Sequence, residues 1–133
     1  MKHTILLLFF GLLLTVACKE KASNTPRKQE NLVEIKDGQY SEWYPGKKQL
    51  KFRGALDSSQ QRDGKWEFYS ERGLVLSMTE YSHGKRNGFS IVKYPNGMIH
   101  YRGEYHNDEQ VGRWTTFDTL GNVVDDEIFN EHR

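Results

Sequence analysis

The chain has 133 residues, with 19 Lys and Arg against 18 Asp and Glu, and 13% of its residues are aromatic. This nearly neutral balance excludes the strongly basic surface on which nucleic-acid binding depends. Its single cysteine excludes an intramolecular disulfide, so the fold must be held together by packing alone.

The N-terminus has the features of a secretory signal. Met1-Lys-His-Thr4 is basic, and an apolar stretch follows over residues 5–17. Spanning a bilayer takes about 20 residues, so this shorter stretch predicts a signal peptide over residues 1–17. Leu14-Thr-Val-Ala-Cys18 resembles a bacterial lipobox, which implies a lipid on Cys18 and attachment to a membrane of the cell envelope. An ordinary cleaved signal, an uncleaved anchor and a free thiol are the alternatives.

The next segment, residues 18–39, is polar and low in apolar residues. Such a composition cannot repay the entropy of ordering the chain, so it predicts a flexible tether between the anchor and a domain over residues 40–133. Within the tether, Leu32-Val-Glu-Ile35 has the composition of a short additional strand.

Two series of glycines recur every 24 residues through the rest of the chain. They are Gly64, Gly88 and Gly112, and Gly73, Gly97 and Gly121. Short aromatic runs alternate with glycine-containing turn signals such as Pro95-Asn-Gly97, a pattern typical of consecutive β-hairpins. Glycine suits such turns because they often require a positive φ. Units of this length must stack to bury apolar surface. The repeat therefore predicts an all-β fold, an elongated single antiparallel sheet of stacked hairpins.

Even spacing within the repeat supports strands. Two columns lie six residues apart and so on one side of a pleat: Val75, Ile99 and Val123, and Tyr81, Tyr105 and Phe129. A degenerate earlier copy, Leu50-Lys-Phe-Arg-Gly-Ala-Leu56, matches Ile99-His-Tyr-Arg-Gly-Glu-Tyr105 at an offset of 49. The odd offset predicts one inserted residue within residues 57–63. With residues 40–44 as a partner strand, we expect about four hairpins and eight strands.

These motifs resemble the MORN-repeat family, and most closely its bacterial variant repeat. The matching segments are Gly64-Lys-Trp-Glu-Phe-Tyr69, Tyr94-Pro-Asn-Gly97, Tyr101-Arg-Gly-Glu-Tyr105 and Gly112-Arg-Trp-Thr-Thr-Phe117. Ser90 stands where the pattern has Trp, and Asp108 stands where the preceding unit has Gly84. The resemblance implies a protein-binding or scaffolding module without a cofactor. Many bacterial variants of the family carry the name antitoxin.

The sequence offers little that points to catalysis. His83, His100 and His106 share no metal-ligand spacing, so we expect neither a metal site nor a cofactor. Ser77 and Ser90 lack the context of an activated nucleophile. Successive residues of Asp125-Asp-Glu127 would point to opposite faces of a strand, which favours a solvated charged edge over an acid–base pair or a calcium site. We expect a protein that is not an enzyme.

Exposed aromatic side chains are the candidate binding residues: Trp66, Phe68, Tyr94, Tyr101 and Trp114. The alternative for each of them is cross-strand packing. The expected function is that of a lipid-anchored module that binds a protein partner of unknown identity. An antitoxin or immunity protein and a binder of cell-wall glycans are the two alternatives, the latter because aromatic rings stack on sugars.

Overall fold

The computed structural model describes residues 30–130, and every strand in that range belongs to one nine-stranded antiparallel sheet. Each strand pairs only with its neighbours in sequence, in the order β1 to β9. The strands are β1 Val33–Lys36, β2 Gln39–Trp43, β3 Leu50–Leu56, β4 Arg62–Tyr69, β5 Val75–Ser82, β6 Lys85–Lys93, β7 Ile99–His106, β8 Glu109–Phe117 and β9 Val123–Phe129. The predicted single sheet of stacked hairpins is confirmed.

The sheet has one strand more than the eight predicted. The additional strand is β1, which lies in the segment predicted to be a tether. Val33 to Lys36 pair with Glu42 to Gln39, so the sheet begins at Val33 and the predicted boundary after residue 39 is wrong. The β-branched residues Val33 and Ile35 favour a strand here, which a purely polar segment would not. Strand composition in residues 32–35 was the correct signal. The predicted signal peptide and Cys18 lie outside the described residues.

Wide turns form one margin of the sheet. They run from Tyr44 to Gln49, Ser70 to Leu74, Tyr94 to Met98 and Asp118 to Asn122, and in each the last residue's carbonyl accepts a bond from the first residue's N–H at 2.8–2.9 Å. Gly73, Gly97 and Gly121 occupy these turns with φ of 83°, 90° and 90°, as predicted. Glycine is favoured there because an L-residue's Cβ meets the backbone at such angles.

Tight turns form the opposite margin, between strands joined by only two residues. Asp37-Gly38, His83-Gly84 and Asn107-Asp108 all have positive φ at both positions, from 47° to 82°. This is the type I′ geometry that follows the twist of a hairpin. The β3–β4 connection is longer, since Asp57 N–H donates to the Gln61 carbonyl across a wider loop. The inserted residue therefore lies in the predicted segment.

The other glycine series differs from the prediction that glycines lie in turns. Gly64, Gly88 and Gly112 lie inside β4, β6 and β8, with φ of 70°, 118° and 62°. The register of each of these strands with the strand before it shifts close to its glycine. The glycines thus mark β-bulges, which require the same positive φ as a turn and bend the strand locally.

The sheet has two different faces. One, here called the aromatic face, carries Tyr40, Phe52, Trp66, Phe68, Tyr81, Tyr101, Tyr105, Trp114 and Phe129. The opposite face carries a mixed row that includes Arg53, Glu67, Met78, Ile91, Arg102, Thr115 and Asp126. Among the described residues the buried apolar side chains are Trp66, Val111 and Trp114. Val111 opposes Glu104 on the other face, so the core is centred on the two tryptophans of the aromatic face.

Candidate functional site

Two tryptophans organise the aromatic face, and both are buried. Trp66 is 6% exposed and Trp114 is 7% exposed. The indole N–H of Trp66 donates to the Ala55 carbonyl at 2.9 Å, and that of Trp114 donates to the Glu104 carbonyl at 3.1 Å. Each ring covers a glycine on the preceding strand, Gly54 or Gly103. Both tryptophans were predicted as candidate binding residues with cross-strand packing as the alternative, and the structure places them in that packing.

Each tryptophan is the centre of a ring cluster. In the N-terminal cluster the centroids of Tyr40 and Tyr81 lie 5.2 and 6.4 Å from that of Trp66. Phe52 and Phe68 form a ring pair 4.8 Å apart that lines the same space as Trp66 and Tyr81. The C-terminal cluster consists of Tyr101, Tyr105, Trp114 and Phe129, and its two tyrosines lie 5.9 and 4.8 Å from Trp114. Burial, followed by the proximity of Tyr105, raises the pKa of Tyr101. The candidates Phe68 and Tyr101 are thus half-buried members of different clusters.

A band of small polar residues separates the two clusters. Ser90 is 2% exposed and opposes Thr79, with their hydroxyls 2.8 Å apart. Ser90 occupies the position in the repeat that Trp66 and Trp114 occupy in theirs. A tryptophan ring would not fit there, because Thr79 stands where Gly54 and Gly103 leave space for an indole ring. The repeat of the aromatic face is therefore a pair of 24-residue units, since Trp66 and Trp114 are 48 residues apart.

Tyr94, the remaining candidate, lies at the wide-turn margin. Its hydroxyl donates to the Phe117 carbonyl at 2.9 Å, and its ring lies 4.4 Å from the ring of His100. Tyr44 makes the matching bond to the Tyr69 carbonyl at 2.8 Å. Tyr94 therefore ties one wide turn to the next, and His100, whose ring lies 5.2 Å from that of Tyr101, connects it to the C-terminal cluster.

A depression of about 280 Å³ opens on the C-terminal cluster. Its walls include Tyr101, Tyr105, Trp114, Phe129, Asp125 and Glu127. The two carboxylates lie on the aromatic face, whereas Asp126 points to the other face and accepts hydrogen bonds from Arg113. In the described part of the chain, no Lys or Arg forms an ion pair with Asp125 or Glu127. The alternation predicted for this acidic run is thus correct, and it produces an acidic rim beside the half-buried rings of Tyr101, Tyr105 and Phe129.

The C-terminal edge of the sheet is apolar as well as open. β9 pairs with β8 alone within residues 30–130. Val124 is 61% exposed and Ile128 is 75% exposed, both on the face opposite the depression. An edge strand of seven residues with exposed apolar side chains offers backbone groups and apolar surface to another strand. Tyr105, Asp125, Glu127 and Phe129 were absent from the predicted binding residues, although the column of Tyr81, Tyr105 and Phe129 was visible in the repeat.

The histidines show no comparable arrangement. His83 lies 3.0 Å from a carboxylate oxygen of Asp57, and His106 contacts Asn107. Over residues 30–130, no three His, Cys, Asp or Glu side chains are grouped as metal ligands. The same range contains no helix of sufficient length and apolar character to cross a membrane.

No protein-family model matches the sequence, and no curated protein matches it.

Proposed function

We propose that this protein is a non-catalytic binding module of the bacterial cell envelope, held to a membrane by a lipid on Cys18, which binds a protein partner through the C-terminal end of its sheet. The observation that carries the proposal is the combination at β9 of an open edge, exposed Val124 and Ile128, and the adjacent ring-lined depression. Exposed apolar surface beside unpaired backbone is characteristic of strand-addition interfaces.

Photo-crosslinking in cells tests the partner-binding part of this proposal. A photoreactive residue at Val124 or Ile128 is expected to crosslink to a distinct protein, whereas one at exposed Glu71, in a wide turn, is not. All three positions are on the surface, so the comparison controls for nonspecific capture. Equal capture at all three positions, or capture at none, would refute binding at this edge.

Membrane attachment is tested separately at Cys18. The substitution Cys18→Ala is expected to abolish labelling by a radioactive fatty acid and to release the protein from the membrane fraction. The sequence from Leu14 to Cys18 supports this expectation. Retention in membranes with undiminished label would exclude acylation at this residue.

The antitoxin alternative is a special case of protein binding, and a toxin gene adjacent to the gene for this protein would favour it. The glycan alternative requires open ring faces. The exposures of Trp66 and Trp114, 6% and 7%, leave little indole surface for stacking on sugar. The protein edge is therefore the better-supported site. Specific retention of the protein on peptidoglycan, lost with Tyr101→Ala, would reverse that preference.

A further inference from the structure

An arginine side chain lies over the rings of the N-terminal cluster. In the N-terminal cluster the guanidinium carbon of Arg62 lies 4.5 Å from the Trp66 ring centroid and 5.3 Å from that of Tyr81. Guanidinium groups are attracted to the faces of aromatic rings by the ring quadrupole. With Arg62 among its walls, this cluster leaves a space of only about 50 Å³.

The same arrangement recurs 24 residues later. Arg86 opposes Tyr81 in the register of β5 and β6, and its guanidinium carbon lies 4.1 Å from the Tyr105 ring centroid on β7. Cations and rings thus alternate across the aromatic face, in the order Arg62, Tyr81, Arg86, Tyr105. Each arginine comes from an even-numbered strand and each tyrosine from the odd-numbered strand that follows.

The third copy breaks this alternation. Gln110 on β8 occupies the position in the repeat that Arg62 and Arg86 occupy in the earlier copies, and it opposes Tyr105. Phe129 on β9 is the last ring of the series. The positions of Ser77 and Thr79 in the N-terminal cluster are here Asp125 and Glu127. The C-terminal cluster therefore lacks an arginine at the position of Gln110, has two carboxylates instead of two hydroxyls, and leaves about 280 Å³ open.

We propose that the depression on β7 to β9 binds an arginine side chain of the partner protein, presented by an extended segment that pairs with the open edge of β9. This inference rests on the proposed function and narrows it to a partner with a specific chemistry. The added segment takes the place of an even-numbered strand, and its arginine opposes Phe129 as Arg86 opposes Tyr81.

Strand spacing is compatible with this placement. Neighbouring strands lie about 4.8 Å apart, so a segment paired with β9 brings its side chains next to Phe129 and Glu127. Arginine fits better than lysine because its planar group both stacks on rings and donates paired hydrogen bonds to carboxylates. Asp125 and Glu127 supply those acceptors, and their negative charges offset part of the cost of removing the guanidinium from water.

The chain supplies its own probe for the test. A synthetic peptide with the sequence of β6, Lys85–Lys93, natively pairs with β5, the strand that β9 repeats 48 residues later. Its binding to the full-length protein in detergent is measured by fluorescence anisotropy. Replacing the arginine of the peptide by citrulline, which has the same shape without the charge, is expected to weaken binding at least tenfold.

Two variants of the protein are compared with the parent. Asp125→Asn combined with Glu127→Gln is expected to weaken binding of the arginine peptide at least tenfold and to remove the preference over citrulline. Gln110→Arg restores the internal cation and is expected to block the site to a similar extent. Glu71→Gln, a charge change in an exposed wide turn, serves as the matched control and is expected to leave affinity unchanged.

Equal affinity for the arginine and citrulline peptides, or undiminished binding by either site variant, would overturn the arginine site. Unchanged denaturation midpoints of the variants exclude unfolding as the cause of any loss. If crosslinking at Val124 and Ile128 persists while the arginine preference is absent, only this inference fails. If both measurements are negative, the proposed function fails with it.

Discussion

The indole ring of Trp114 covers Gly103 so closely that a Cβ atom at residue 103 would lie 2.2 Å from the ring atom Cδ2. Trp66 and Gly54 have the same relationship, also at 2.2 Å. Real Cβ atoms do not approach ring carbons this closely, so the glycine and the tryptophan depend on each other. The pair fixes a large ring over the backbone of the preceding strand and gives a single-layer sheet its buried core.

Gly103→Ala tests this dependence. Neither Gly54 nor Gly103 has a positive φ, and replacing such a strand glycine by alanine ordinarily stabilises a protein. Here the added methyl group must displace the Trp114 ring, so we expect a loss of about 1–3 kcal/mol in the free energy of unfolding. Urea denaturation measures it.

A double-mutant cycle isolates the contact from other effects of the substitution. In a Trp114→Ser background the ring is gone, and Gly103→Ala is expected to become neutral or stabilising. A loss of the same size in both backgrounds would contradict the proposed dependence between the two residues.

The Ser90 position gives the reciprocal prediction. A tryptophan at residue 90 would cover Thr79 on the preceding strand, whose Cβ occupies the space that Gly54 leaves for Trp66. It would also remove the 2.8 Å hydrogen bond between Ser90 and Thr79. We expect Ser90→Trp to lower the free energy of unfolding by about 2 kcal/mol or more.

Adding Thr79→Gly to Ser90→Trp recreates the tryptophan–glycine pair and is expected to recover most of that loss. The two denaturation midpoints, compared with that of Thr79→Gly alone, check the rescue. If Ser90→Trp alone is as stable as the parent protein, the alternation of units has no packing basis.

The sequence was sufficient for the architecture but not for the site. Glycine spacing and even-spaced apolar columns predict strands and turns because both are local properties of the chain. The tryptophan–glycine pairs depend on register, which the bulges near Gly64, Gly88 and Gly112 shift, so spacing alone could not decide between binding and cross-strand packing for Trp66 and Trp114. The depression could not be predicted either, because it arises from an exchange of side chains in one copy of the repeat.

Substitutions at two turn residues with positive φ are expected to change the free energy of unfolding in opposite directions. Gly97 has a φ of 90° and only an ordinary 3.6 Å neighbour for an added Cβ, so Gly97→Ala acts through backbone strain alone. We expect a loss of about 1–2 kcal/mol in the free energy of unfolding. Gln60 has a φ of 61° in the longer β3–β4 loop, so Gln60→Gly relieves strain and is expected to stabilise by a few tenths of a kcal/mol.

Thermal melts of these two variants and the parent protein provide the comparison. Gln60→Ala, which keeps a Cβ atom at the same backbone angle, is the control and is expected to leave the melting temperature nearly unchanged. Stabilisation by Gln60→Ala equal to that by Gln60→Gly would show that side-chain loss, rather than φ, is responsible.

Acid should weaken the turns through their aspartates. The Asn122 side chain and its backbone N–H donate to the Asp118 carboxylate, which lowers its pKa below the ordinary value of 3.8. The pKa of Asp57 is lowered by the Gln61 N–H and then by His83, and that of Asp108 is lowered by the backbone and side chain of Arg86. In each case the folded protein binds the proton less readily than the unfolded chain does.

The sign of the effect follows from linkage. A lowered folded pKa contributes stability that is present above the unfolded value and is lost as the pH falls through the folded value. The denaturation midpoint is therefore expected to be level above about pH 5 and to fall as the pH drops below 3.8. Asp118→Asn, which keeps a turn-forming amide, should be less stable than the parent at pH 7, with a gap that narrows below pH 3.8. A gap of constant size from neutral to strongly acidic pH would show that the charge of Asp118 does not stabilise the turn.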